Sequence, residues 1–188
     1  MTDLVALFGR SLEGFDARVR AVGDDQWGNA TPCADWDVRA LLNHLVGEQR
    51  WAPPLFEGST IAEVGSRFDG DLLGDDPKAA WADSLAQSAA AVREPGVLER
   101  TVHLSFGDTT GEDYLSQLVL DLVVHAWDLA RGIGGDEALD PDGVEFALGY
   151  IGPRVDGWRA AGVFGPAVDV APDADPQTRL LALTGRPG

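Results

Sequence analysis

The sequence predicts an all-α protein: a helix bundle with a short strand or hairpin before its fourth helix and a small helical C-terminal extension. Apolar residues recur at helical spacing in four long segments. Capping residues precede these segments, and glycine or proline follows them. The chain has 188 residues, of which 45% are hydrophobic, and this favours one domain with a sizeable core. We therefore expect a single domain over residues 1–188, with the core bundle at about 1–133 and the extension at about 134–188.

Most of the predicted helices have a residue that can cap the first turn. An Asp or Thr side chain at this position accepts hydrogen bonds from backbone N–H groups that have no partner within the helix. The predicted helices cover residues 3–22, 38–51, 77–93, 110–132, 141–151, 154–161 and 176–184. The predicted caps are Thr2, Asp37, Asp76, Thr110, Asp140 and Asp175.

Two segments between the main helices are predicted to be non-helical. Residues 53–75 are rich in Gly, Pro, Asp and Ser, and the Pro-Pro pair at 53–54 is expected to end the second helix. One short helical turn is expected at 60–66, and an irregular crossover is favoured over a lid. Residues 97–106 alternate between apolar and polar side chains, which predicts a short strand. The chain is expected to turn at 107–108 into the cap of the central helix.

The charge and cysteine content exclude several classes of protein. The net charge is −17, from 31 acidic and 14 basic residues, so nucleic acid and anionic membranes are unfavourable partners. No apolar run reaches the ~20 residues of a membrane span, and the N-terminal segment lacks the features of a signal peptide. The one cysteine, Cys33, excludes an internal disulfide and suits a reducing compartment. We expect a cytoplasmic protein, monomeric or homodimeric, that acts on small molecules.

The central helix, residues 110–132, carries the first chemical signal. Its last residue, Gly132, is expected to end it. An acid and a histidine, Asp121 and His125, lie one helical turn apart within an otherwise apolar stripe. A buried carboxylate is usually paired or bound to a metal, so a metal site and a simple carboxylate–imidazole pair both remain open here. The stripe consists of Tyr114, Leu118, Asp121, Leu122, His125 and Leu129.

A third ligand is available on the second predicted helix, where His44 lies at the edge of the apolar face. Two imidazoles and a carboxylate suit zinc, nickel or iron(II), and three protein ligands leave a coordination position for water or substrate. Spacing alone also allows two histidines to pack together by chance.

Two motifs resemble a known family. The segments TPCADWDVRALLNHLVGEQ at 31–49 and LDLVVHAWDLARG at 120–132 resemble the mycothiol-dependent maleylpyruvate isomerase metal-binding domain, of the DinB-like superfamily of four-helix metalloproteins. The tail at 164–188, with LLALTGR, resembles small actinobacterial members. By position, the resemblance implies metal ligands at His44, Asp121 and His125. The isomerase has glutamate where this chain has Asp121. It also carries a larger C-terminal domain, for which this chain is too short, so the resemblance implies fold and metal more strongly than isomerisation.

The resemblance implies a divalent-metal protein that acts as a thiol-dependent transferase or isomerase. Zinc is the favoured metal, with nickel and iron as alternatives, and mycothiol is the implied cosubstrate thiol, with a small electrophile as its partner. Two other functions remain open. One is a metal-dependent hydrolase that activates water; the other is a non-catalytic metal-binding or structural bundle.

The sequence also predicts the environments of several other residues near the motifs. Glu48 is favoured as a surface acid over a fourth ligand or a general base. Cys33 is favoured as a buried structural thiol over a nucleophile. Asp128 is expected either to hydrogen-bond a ligand or a neighbouring loop, or to be a buried anchor. His103 is expected to be an exposed strand residue, and the six tryptophans are assigned to the core.

Overall fold

In a computed structural model the chain is mostly helical, with a two-stranded hairpin before its longest helix. The structure describes residues 3–187. This confirms the predicted all-α class with a hairpin and a helical C-terminal extension. The elements are α1 (Leu4–Ala21), α2 (Val38–Phe56), α3 (Ile61–Val64), α4 (Pro77–Ala91), a 3-10 turn (Val97–Glu99), β1 (Thr101–Leu104), β2 (Gly107–Thr110), α5 (Gly111–Ile133), α6 (Pro141–Ile151), α7 (Val155–Ala160) and α8 (Pro176–Leu183).

Four long helices pack around one core. Helix α1 packs against α5 and α4, and α2 packs against α4 and α5. Helix α1 buries one apolar stripe, whereas α5 is buried on nearly all sides between residues 114 and 130. A helix that is apolar all round belongs in the interior. Helix α6 packs on α5, and α8 packs on α6, so the C-terminal extension lies against the central helix.

The N-terminal ends of the helices follow the predicted caps. The Asp37 side chain accepts from Ala40 N, and the Thr110 hydroxyl accepts from Asp113 N. The carboxylates of Asp76, Asp140 and Asp175 cap their helices in the same way. Helix α1 is capped by Asp3 instead of the predicted Thr2, which lies outside the described residues.

The predicted end of the second helix is wrong, because α2 continues through Pro53 and Pro54 to Phe56. A proline inside a helix loses a hydrogen bond and crowds the preceding turn. Here the extra turn brings Leu55 and Phe56 into the core, where they are 2% and 1% exposed. Burial of these two side chains offsets the cost of the prolines.

The predicted end of the central helix at Gly132 is also wrong, by two residues. Helix α5 continues to Ile133 and ends at Gly134, which adopts the left-handed conformation that suits a glycine cap. Gly132 has another role, since a Cβ atom there would lie 3.0 Å from Val38 Cγ2 and 3.2 Å from Thr31 Cγ2. The glycine therefore allows α5 to approach the start of α2 and the loop before it.

The segment predicted as one strand at 97–106 forms a 3-10 turn followed by β1, and the chain then folds back as β2. The antiparallel register pairs Thr101 with Thr110 and Leu104 with Gly107. Residues 107–108 thus belong to the second strand, not to a turn. None of the helices within residues 3–187 has an apolar stretch of the length that a bilayer crossing needs.

Candidate metal centre

The first candidate ligand, His44, is positioned by the second helix. Asp37 fixes the first turn of α2, and a completely buried apolar face, which includes Leu41 and Leu45, fixes the rotation of the helix against the core. His44 lies at the edge of that face with 27% of its side chain exposed. The Trp36 ring lies 4.7 Å from the His44 ring, centroid to centroid, and restrains it from the loop side.

The three residues predicted as ligands lie together. Asp121 Oδ2 is 3.3 Å from His44 Nε2, and Asp121 Oδ1 is 3.3 Å from His125 Nε2. One nitrogen from each histidine and one carboxylate oxygen all lie within 4.8 Å of one another. The predicted juxtaposition is therefore present, and the role of these residues as metal ligands stays a prediction.

A buried ion pair holds the other side of the His125 ring. Asp128, which is completely buried, accepts a hydrogen bond of 2.8 Å from His125 Nδ1. Arg186 donates to both oxygens of Asp128, with a shortest distance of 2.7 Å from Nη2 to Oδ2. The two alternatives left open for Asp128, a hydrogen bond to a predicted ligand and a buried anchor, are therefore both present. An aspartate that accepts from the far nitrogen of a histidine fixes both the tautomer and the direction of the ring.

In this tautomer of His125, two hydrogen-bond acceptors of the cluster face each other. Since Nδ1 of His125 carries the proton shared with Asp128, Nε2 of a neutral ring has only a lone pair. That lone pair faces Asp121 Oδ1, which also only accepts. In addition, Asp121 Oδ2 is shielded from solvent and has no partner in hydrogen-bond geometry within residues 3–187, although His44 Nε2 lies 3.3 Å away. Either a second proton on His125 or a cation between His125 and Asp121 is therefore required. Two imidazole nitrogens with one carboxylate oxygen are a donor set that fits zinc or a related divalent ion.

The charges in the cluster shift its pKa values in a consistent direction. Burial disfavours the charged imidazole, yet the Asp121 and Asp128 carboxylates outweigh it and raise the pKa of His125 well above its ordinary value. Asp121 likewise raises the pKa of His44 against the effect of burial. In turn, the two imidazoles hold the pKa of Asp121 below its usual range despite desolvation. The cluster therefore favours an anionic carboxylate beside a positive charge.

A cavity of about 640 Å³ opens onto the cluster. Its walls come from the loop before α2 (residues 32–36), from α2, from one face of α5, and from two stretches of the extension (158–165 and 184–186). This volume is in the range of small-molecule sites. The extension is thus part of the site as well as of the fold.

Two residues have different environments from those expected. Glu48 is not a surface acid: it is half-buried and lines the cavity one turn after His44. Burial, together with the charge of Asp121, raises the pKa of Glu48 to about 7. Cys33 is not a buried structural thiol but lines the cavity half-buried, with its Sγ 3.3 Å from Asp128 Oδ2. Both corrections have the same cause, since the cavity exists only because the loop and the extension fold over these positions.

Of the tryptophans predicted to lie in the core, some do so and others line the cavity. Trp81 and Trp127 are core residues, as predicted. Trp36 and Trp158 instead line the cavity, in part exposed to it. His103 is a partly exposed strand residue that pairs with Asp108 across the hairpin at 2.7 Å.

Arg186 is the functional residue that the sequence analysis missed. It lies in the tail motif that resembles family members, but no spacing rule connects a residue near the C-terminal end with a helix 58 positions earlier. Its burial of all but 9% and its contacts with Asp128 appear only in the folded chain.

The helical fold and the cluster of two histidines with an aspartate define a class of protein: helical proteins with a histidine–carboxylate site on one side of the packed helices. The chain belongs to the mycothiol maleylpyruvate isomerase N-terminal domain family, whose model matches residues 8–130. Two uncharacterised proteins of Mycobacterium tuberculosis, from strains CDC 1551 / Oshkosh and ATCC 25618 / H37Rv, are each 31% identical to it over 188 residues. The match covers 94% of this chain and 94% of each relative.

Solved structures share the fold. The crystal structure of the mycothiol-dependent maleylpyruvate isomerase matches with a TM-score of 0.61 at 13% sequence identity, over 88% of this chain and 74% of that chain. A histidine-to-alanine mutant of that isomerase matches with the same values. At this identity the likeness shows the fold.

Proposed function

We propose that the protein binds a divalent metal through His44, Asp121 and His125 and uses it to transfer or isomerise a small electrophile with the help of a thiol, mycothiol being the thiol. The observation that carries the proposal is the pair of histidine Nε2 atoms 3.3 Å from the oxygens of one carboxylate. The family and the name of the solved isomerase support the choice of thiol.

Each residue of the cluster has a separate task in this proposal. His44, Asp121 and His125 would hold the ion, and zinc is the favoured identity. Asp128 orients His125 through Nδ1, and Arg186 keeps Asp128 ionised and in place. A divalent cation bound there would supply the charge that stabilises a thiolate at neutral pH.

The cavity supplies the remaining requirements of a thiol reaction. Glu48 lies on its wall, where the carboxylate can accept the proton that the thiol loses. The Trp36 ring lies 4.7 Å from the His44 ring and 5.8 Å from the His125 ring, centroid to centroid, and Trp158 lines the same cavity. These rings would limit access of water to a bound thiol. A small electrophile held between them would lie beside the thiol sulfur.

Metal content tests the ligand assignment directly. Wild-type protein purified without added metal is expected to contain about one divalent ion per chain, by mass spectrometry of the digested protein. His125→Ala and Asp121→Ala are expected to lose it, because two protein ligands bind such an ion far more weakly than three. His103→Ala is the matched control and should keep the ion. Equal metal in wild type and His125→Ala would refute the assignment.

Thiol dependence then separates the possible activities. With a small electrophile as substrate, consumption by the metal-loaded protein is expected only when mycothiol is present. Consumption that continues without thiol would indicate hydrolysis by activated water. Bound metal without turnover of any thiol–electrophile pair would indicate a non-catalytic bundle.

A further inference from the structure

The walls of the cavity contain partly exposed aromatic rings from two segments of the chain. Trp36 comes from the loop before α2, whereas Trp158 and Phe164 come from the extension. The Trp158 and Phe164 rings stack with centroids 5.9 Å apart and an interplanar angle of 23°. All three side chains are only half-buried in the protein, so the cavity presents apolar surface that a ligand can cover.

Among the described residues 3–187, one permanent cation lines this cavity, and nearly all of its N–H donors are already engaged. The Nε of Arg186 donates to Asp128, one Nη1 proton goes to the Thr184 carbonyl, and Nη2 donates to Asp128 and to Cys33 Sγ. A guanidinium has five N–H groups, so at most one of them remains for a ligand. Its charge is balanced by the completely buried Asp128. Arg186 is therefore not available as a bidentate partner for a substrate carboxylate.

Three carboxylates also line the cavity, beside the two histidines of the cluster, whose rings are neutral when they bind a metal. Asp35 lies exposed at the rim, Glu48 lies on the wall, and Asp121 lies at the cluster. The ion would bring two positive charges and the thiolate one negative charge, so the three carboxylates still leave the lining negative, even when Glu48 has accepted the thiol proton. A second anion would enter against these carboxylates and against the −17 charge of the whole chain.

We propose that the electrophile is an uncharged, aromatic or similarly flat apolar molecule, and that the cavity rejects anionic substrates such as keto acids. This inference rests on the proposed thiol reaction for its chemistry, but the selectivity itself is a property of the cavity. The aromatic rings provide attraction for a flat apolar ligand. The occupied guanidinium and the acidic wall provide discrimination against a carboxylate.

The test uses two electrophiles that differ by one carboxylate, 2-chloro-1,3-dinitrobenzene and 4-chloro-3,5-dinitrobenzoate. In both reactions the thiolate forms a sulfur–carbon bond at the ring, the carbon–chlorine bond breaks, and chloride leaves with the electron pair. With mycothiol and metal-loaded protein, kcat/KM above the uncatalysed rate is expected to be at least about tenfold higher for the uncharged compound. Equal values, or a preference for the benzoate, would overturn the proposal.

Binding without chemistry keeps the two proposals distinguishable. The unreactive analogues 1,3-dinitrobenzene and 3,5-dinitrobenzoate are titrated into the same metal-loaded protein by calorimetry. Tighter binding of the uncharged analogue by about tenfold supports the selectivity even if no thiol turnover is found. No binding of either analogue, or tighter binding of the benzoate, contradicts it even if another thiol reaction is found.

Two pairs of variants test whether the walls of the cavity cause the selectivity. Phe164→Ala is expected to weaken binding of 1,3-dinitrobenzene about fivefold through the loss of ring contact. Phe106→Ala, at a position 73% exposed on the hairpin, is the matched control and should change nothing. Asp35→Asn is expected to strengthen binding of 3,5-dinitrobenzoate about threefold, and Asp83→Asn, an exposed acid on α4, should not. The same effect from both members of either pair would contradict the assignment to the cavity walls.

Discussion

Two aspartate–histidine pairs in this chain have almost the same hydrogen bond and very different surroundings. In one, His125 Nδ1 lies 2.8 Å from Asp128, and the side chains are 9% and 0% exposed. In the other, His103 Nδ1 lies 2.7 Å from Asp108, and the side chains are 36% and 67% exposed. Distance alone therefore does not tell which pair has a role beyond its own contact.

The difference lies in what each pair is connected to. Arg186 neutralises Asp128 within the protein, and the opposite nitrogen of His125 points at Asp121. The hairpin pair is open to solvent, where water and salt screen its charges. A buried pair whose carboxylate is fixed by a third residue can set the orientation of the imidazole ring. An exposed pair contributes little more than local order. The variants below test whether this contrast holds.

The largest effect is expected from Arg186→Ala. The substitution leaves the Asp128 carboxylate buried without its cation, which typically costs about 3–5 kcal/mol of unfolding free energy. Arg10→Ala, whose partners Asp140 and Asp142 lie at the surface, should cost only about 0–1 kcal/mol. Urea unfolding of metal-free protein, followed by circular dichroism, measures both. Similar losses for the two arginine variants would show that the buried pair is not special.

A smaller effect on stability, together with a loss of metal affinity, is expected from Asp128→Asn, because the amide still accepts from Arg186 but no longer balances its charge. The amide keeps the size of the side chain but weakens its hold on His125 Nδ1, and such changes typically reduce metal affinity about 10–100-fold. Titration against a chelator of known affinity measures it. An unchanged affinity would mean that the His125 ring is oriented by packing alone.

Much of the fold was predictable because its signals are local. A capping side chain acts on a backbone group two or three residues away, so the starts of α2, α4, α5, α6 and α8 followed from the sequence. The ends of helices depend more on tertiary packing. The burial of Leu55 and Phe56 carries α2 past two prolines, and the contact of Gly132 with α2 makes that glycine a packing residue.

The residues of the candidate site also divide into those that local spacing places and those that long-range contacts place. Asp121 and His125 lie one turn apart on a single helix, so helical spacing places them on one face. His44 joined them through the resemblance and the small number of histidines. Arg186 comes to the site from the C-terminal extension and Cys33 from the loop before α2, and no local pattern predicts that they meet. Long-range contacts of this kind require the folded chain.

The smallest effect is expected from Asp108→Asn, which changes the exposed pair as Asp128→Asn changes the buried one. The loss of a solvent-exposed ion pair should lower the free energy of unfolding by less than about 1 kcal/mol. Metal affinity should not change, because His103 is not among the clustered ligand atoms within residues 3–187. Urea unfolding and chelator titration on the two variants side by side give a direct measure of what burial adds to one hydrogen bond. If Asp108→Asn lowered metal affinity as much as Asp128→Asn does, either the metal would bind at the hairpin or both aspartates would act on it indirectly. In both cases the buried pair would not differ from the exposed pair in its effect on the metal.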